Sequence, residues 1–233
     1  MLEGVGPLTG QQVVTRAVAS FPSPPAPASS RPPADHYVCG LDLGQAADYT
    51  ALAVDHVTQV ADPERAGKWK RHHALRYLTR WRLGTSYVDI AGDVAKLLAQ
   101  LPDAVLVADK TGVGAACVDL FRAKGLGARL VPVLITGGHQ TLRDGAEHHV
   151  PKKELVSAVQ ATLQTRRLKV APALAEAALL RRELELFRVK VKALTGNETF
   201  EAWRERDHDD LVLSVALAVW YGERGMSRFC FFC

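Results

Sequence analysis

The sequence predicts an α/β fold: a mixed five-stranded sheet, an antiparallel meander followed by parallel strands, flanked by helices and carrying an added β-hairpin. Three observations predict it. First, Tyr37–Val54 reads as a buried strand, a short polar turn and a second strand. Second, two further apolar runs, Val105–Ala108 and Arg129–Leu134, are separated by a helix-length segment. Third, Asp209–Tyr221 is apolar all round a helical circumference, as a deeply buried helix would be.

The elements follow in order. Residues 1–36 contain Phe21–Pro33, FPSPPAPASSRPP, a run that favours extended, solvated backbone. They are expected to form a disordered, Pro-rich linker, with a folded domain over 37–224. Strand one, Tyr37–Leu43, meets a turn at Gly44–Asp48, and Thr50–Val57 alternates as a second strand. Asp62–Arg71 reads as a loop and His72–Leu83 as a third strand. Strands this close in sequence pair as an antiparallel meander. Thr85 or Ser86 then caps a helix to about Gln100, with Val88, Ala91, Val94, Ala95 and Leu98 on its apolar face.

Strand four ends at Asp109, and the turn Lys110–Gly114 leads into a helix through Lys124. Strand five follows, and strand–helix–strand implies a parallel crossover. Thr136–Val150 shows no period and reads as a loop. Pro151 opens a helix over Glu154–Leu168, and Ala173–Phe187 gives another. Phe187–Lys192 alternates strictly, so with the turn Thr195–Asn197 and then Glu198–Trp203 it is expected to be a β-hairpin. The tail 225–233 fits no element.

Composition narrows the class. Of 233 residues, 48% are apolar and 23% charged, as in ordinary globular proteins. The net charge of +4 permits an anionic partner without demanding one. No apolar run approaches the ~20 residues of a membrane span, so no membrane partner is expected. No basic start precedes an apolar stretch at the N-terminus, and the cytoplasm is the default compartment. Cys39 and Cys117 read as small core residues. Cys230 and Cys233 lack a second metal-spaced pair.

The chemistry lies in three acidic stations at the ends of buried elements. Asp42 sits in an otherwise apolar strand, where an unpaired carboxylate is costly. Asp109 ends strand four, and Asp209–Asp210 opens the last helix. Strands one and four side by side would put Asp42 and Asp109 at the sheet's carboxyl edge, where α/β sheets bind ligands. The last helix can bring a third carboxylate there. Such a cluster repels itself, and two hard cations, Mg²⁺ or Mn²⁺, remove the conflict. Phosphodiester hydrolysis by two metals is the matching chemistry. Asp42 would bridge, Asp109 would hold one ion and Asp209 or Asp210 the other. His208 would orient a ligand or handle a proton.

Plainer roles exist for several of these residues. Asp209 also fits an N-cap, Asp109 fits turn chemistry, and Asp48 fits a bond to its own turn. His72, His73, His148 and His149 read as surface or loop residues, and Lys110 as a solvated turn lysine. Arg188, Lys190 and Lys192 would form a basic hairpin face along double-stranded DNA, with Lys152 and Lys153 as further DNA contacts.

Taken together, YVCGLDLG, VLVADKTGVG and ERDHDDLVLSVALAVW resemble, in order and spacing, the nuclease domain of phage terminase large subunits. RWRLGTSYVDIAGDV and the basic segment before His208 are also similar. The resemblance covers about Tyr37–Arg224. It implies a ribonuclease H-like fold and a metal-dependent endodeoxyribonuclease that cuts concatemeric DNA during packaging. It matches Asp42 and Asp109 to the strand-one and strand-four acids, and Asp209 or Asp210 to the C-terminal acid. It also implies a packaging ATPase, a small terminase subunit and a portal as partners. No GxxxxGK[ST] loop is present, so the likeness is to the nuclease half only, as in a domain fragment, a split gene product or a prophage remnant. Rival readings are a Holliday-junction resolvase or transposase core, an actin-like or sugar-kinase-like ATPase fragment that reads DKTGVG as a phosphate loop, and an inactive module that only binds DNA.

Overall fold

The computed structural model describes residues 34–44, 48–101, 103–194 and 209–224, and for 187–194 the backbone alone. Three long strands come first: β1 (His36–Asp42), β2 (Ala51–Ala61) and β3 (Trp69–Arg80). They form the expected antiparallel meander, with Asp42 opposite Ala51 and Ala51 opposite Arg80. β1 starts at His36, one residue inside the stretch assigned to the linker. Helix α1 (Tyr87–Gln100) is capped by Ser86, whose Oγ accepts the Asp89 amide. It buries Ile90, Ala91, Val94 and Leu98, while Val88 faces outward, against expectation.

Strand β4 (Val105–Asp109) then pairs parallel to β1, and β5 (Leu130–Thr136) parallel to β4, with helix α2 (Gly114–Ala123) between them. The order β5-β4-β1-β2-β3, with β2 alone antiparallel to its neighbours, is the ribonuclease H-like arrangement. Three short strands widen this core to eight, in the order β6-β7-β5-β4-β1-β2-β3-β8. These are β6 (Leu142–Asp144), β7 (Glu147–Pro151) and β8 (Leu168–Val170).

Two corrections concern the hairpin and the loop. Phe187–Lys192 is not a strand: helix α4 runs from Ala177 to Leu194 and includes it. Each added residue of an existing helix gains a hydrogen bond without new nucleation, which outweighs six residues of alternation. The helical disadvantage of Val189 and Val191 is under ~1 kcal/mol each. The partner strand expected at Glu198–Trp203 and the turn before it lie outside the described residues. The segment expected to be a loop instead supplies a hairpin, β6–β7, turning at Gly145 with φ +58°. β7 pairs parallel to β5 and so satisfies that strand's outer edge. Helix α3 (Lys152–Gln164) starts directly after Pro151.

Both faces of the sheet are covered. Cys39, Leu41, Leu106 and Ala108 pack against α1 and α2. Val38, Ala53, Val107 and Val133 pack against α3, α4 and the last helix, α5 (Asp210–Arg224). Burial on both faces explains why β1 and β4 read as continuous apolar runs. Helix α5 is buried from Asp210 to Val212 and from Ser214 to Gly222. Leu211, Val212, Val215, Leu217 and Val219 each contribute roughly 1.5–3 kcal/mol of transfer free energy. Cys39 and Cys117 are free and buried; burial pushes their thiols up to about 12 and about 11.

Candidate metal centre

The pleat of β1 sends Val38, Gly40 and Asp42 to the α5 face. Gly40 lets that helix approach: a Cβ there would lie 2.0 Å from the Ser214 carbonyl oxygen. Asp42 is the last residue of the strand, and the start of α5 lies beside it. A cleft of about 330 Å³ opens at this edge, lined by Asp42, Asp109, Lys152, Asp209 and Asp210 among others. All four carboxylates singled out in the sequence therefore line one space.

Asp42 is 7% exposed. Burial pushes its carboxyl well above the usual carboxylate range, and Asp109, Asp210 and Asp209 push it further. The Lys152 ammonium opposes this. Asp109 takes the turn role expected of it and also faces the cleft. Its Oδ1 accepts the Thr111 amide at 2.7 Å and the Thr111 hydroxyl at 2.5 Å, while its carboxylate lines the cleft. Thr111 Oγ1 in turn accepts the Ile135 amide at 3.1 Å, fixing the turn to β5.

Lys152 opens α3 and reaches into the cleft, its Nζ 3.6 Å from Asp209 Oδ2. Lys153 is outside the cleft and meets His139 Nδ1 at 2.7 Å. Arg188, Lys190 and Lys192 belong to α4, so the premise that three basic residues share one strand face does not hold. His208 lies outside the described residues. Lys110 is not a solvated turn lysine; it pairs with Glu147 on β7.

Glu183 on α4 escaped the sequence reading. It is 4% exposed, and its Oε2 accepts the amides of Leu211 and Val212. Burial raises its carboxyl to about 7, with Asp210 adding to the effect. No local pattern marks it, because its partners are in another helix.

His73 also departs from its surface assignment. It is buried at the other end of α5, with Nδ1 2.6 Å from Asp55 Oδ2 and Nε2 2.9 Å from Glu223 Oε1. Arg167 grips Glu223 with two nitrogens, at 2.6 and 3.0 Å. Although burial disfavours the charged ring, these carboxylates raise His73 to about 9.

The donor set suits hard divalent cations in kind and in charge: it is all oxygen, and its members repel one another. As the side chains stand, no three His, Cys, Asp or Glu residues among those described close around a single point. They line an open cleft rather than a closed cage.

No protein-family profile matches the sequence, and no curated protein matches it. Solved structures do. The chain is similar to the large terminase nuclease from thermophilic phage G20c, at 21% identity and a TM-score of 0.46, over 79% of this chain and 81% of that one. It is similar to the large terminase nuclease domain of bacteriophage SPP1, solved with bound manganese, at 13% identity and a TM-score of 0.44, over 78% and 84%. A manganese-soaked human cytomegalovirus terminase nuclease domain matches at 16% identity and a TM-score of 0.43, over 79% and 83%.

Proposed function

We propose that this chain is a metal-dependent endodeoxyribonuclease of the large-terminase kind, hydrolysing phosphodiesters of double-stranded DNA with two Mg²⁺ or Mn²⁺ ions. One observation carries the reading: buried Asp42 shares a cleft with Asp109, Asp209 and Asp210, each at the end of a buried element. Gathering four carboxylates around one space costs repulsion, and bound divalent cations would offset it.

The residues divide the work. Asp42, between the other stations, would touch both ions; Asp109 would hold one, and Asp209 or Asp210 the other. Bound ions would supply an activated water and a stabilised leaving oxygen. Thr111 holds Asp109 in place. Lys152 offsets part of the negative charge and would meet a phosphate entering the cleft. On the same reading, a packaging ATPase on another chain, a small terminase subunit and a portal would be partners, and the compartment would be the cytoplasm. No helix among the described residues is long and apolar enough to cross a membrane.

The test is incubation with supercoiled plasmid and, in parallel, a four-way DNA junction, with Mn²⁺, Mg²⁺ or chelator and without nucleotide. Metal-dependent nicking or linearisation of plasmid is expected. Strong preference for the junction would redirect the reading to a resolvase. No cleavage of either substrate in either metal would overturn it.

A further inference from the structure

The Leu213 amide donates to the Asp209 carbonyl oxygen at 2.9 Å, which makes Asp209 the capping residue of α5. An aspartate there ordinarily accepts the amides two and three positions on. In this chain those amides, of Leu211 and Val212, donate instead to Glu183 Oε2, at 3.1 and 3.2 Å. Glu183 is 28 residues before Leu211, on a different helix. It shares a face of α4 with buried Leu180, three residues earlier, so core packing anchors it.

We propose that Glu183 is a positioning residue for the acidic cleft: it caps α5 from outside, so that Asp209 and Asp210 can serve the cleft instead of the helix end. The proposal rests on the reading of that cleft as a metal site.

The geometry supports it in two ways. A helix N-terminus attracts carboxylates through its amides and its dipole. Left alone, the end of α5 would draw Asp209 back onto its own amides. One buried oxygen holding both amides supplies that attraction from α4, and Asp209 Oδ2 lies toward Lys152 across the cleft. The same two bonds fix the height of α5 against α4. They therefore fix Asp210, the residue next to the first bonded amide, relative to Asp42 on β1.

Two substitutions separate this role from mere stability. Glu183→Gln keeps an acceptor oxygen at the same reach. Glu183→Met keeps length and apolar burial but accepts nothing. Mn²⁺ binding to the full chain, followed by electron paramagnetic resonance without DNA, is the primary readout, with plasmid cleavage beside it. The Gln variant is expected within about twofold of the parent, and the Met variant weaker by about 10- to 100-fold. In a background carrying both Asp209→Asn and Asp210→Asn the Met substitution should add little, because the carboxylates it positions are gone.

Equal Mn²⁺ affinity in the Met variant and the parent would overturn the proposal. So would a Gln variant as weak as Met, since charge rather than capping would then matter. A Met variant that cannot fold beside a Gln variant that can would also overturn it, leaving Glu183 a fold-holding cap. A parent that binds no Mn²⁺ would instead remove the metal reading beneath it.

Discussion

Gly40 and Ser214 touch backbone to backbone: a Cβ on Gly40 would lie 2.0 Å from the Ser214 carbonyl oxygen and 2.7 Å from the Ala218 amide. No rotamer change relieves such a clash. Gly40→Ala should push α5 off β1 and carry Asp209 and Asp210 away from Asp42. Overpacking typically costs about 1–3 kcal/mol, and a backbone clash belongs at or above the top of that range. Urea denaturation checks the stability, and Mn²⁺ titration should show a parallel loss of affinity. A stable Gly40→Ala protein with the parent's affinity would mean that this contact does not set the site.

Asp42→Asn removes a buried charge that its surroundings disfavour. Without metal the variant should be more stable than the parent, because the native site disfavours the ionised form. Cleavage should fall by at least about a hundredfold, more than the loss of an outlying partner brings. Thermal melts in chelator and plasmid assays in Mn²⁺ test the two halves. Unchanged cleavage by the folded variant would refute the assigned role.

Lys152→Gln should have opposite effects with and without metal. The ammonium lies 3.6 Å from Asp209 Oδ2 and lowers the strain on Asp42. Losing it should destabilise the metal-free protein by between the ~1 kcal/mol of exposed pairs and the ~3 kcal/mol of buried ones. The melting increase caused by Mn²⁺ should then be larger than in the parent. A smaller increase would show that Lys152 is not an electrostatic competitor of the ions.

The His73 network predicts how stability follows pH. His73 is raised from 6.5 to about 9, so its contribution is whole below pH 6.5 and is lost as pH rises through about 9. Glu223 is lowered from 4.5 to about 2, so its contribution is whole above pH 4.5 and is lost as pH falls through about 2. The contribution of this network should be greatest between pH 4.5 and 6.5. It should decline by about 3 kcal/mol on the alkaline side. Urea midpoints from pH 6 to 9.5 measure this, and a flat profile would show that His73 is not held charged by its carboxylates.

The sequence carried the central sheet because β1 to β5 are long or buried on both faces, and such strands leave unbroken apolar runs. The acids were legible for the same reason: Asp42 interrupts one of those runs. What escaped is short or distant. β8 has three residues and is defined by pairing with His73–Leu75, about a hundred positions earlier. β6–β7 did leave a local signal, Asp144–Gly145, but no apolar alternation surrounded it. Phe187–Lys192 shows the converse, an alternation overruled by the helix already running into it. Glu183 and His73 owe their roles to partners on other elements, which no local pattern encodes.

The union of β1 with α5 also sets an order of events in time. These elements stand at opposite ends of the described chain, so their contact closes its longest loop. Contacts of such separation form late, after local hairpins and helices have paid less entropy. A chain emerging from the ribosome can assemble Asp42 with Asp109 while α5 is still inside the exit tunnel. It then holds two of its three acidic stations. The third acidic station should therefore join the other two in one step, when α5 docks under the sheet.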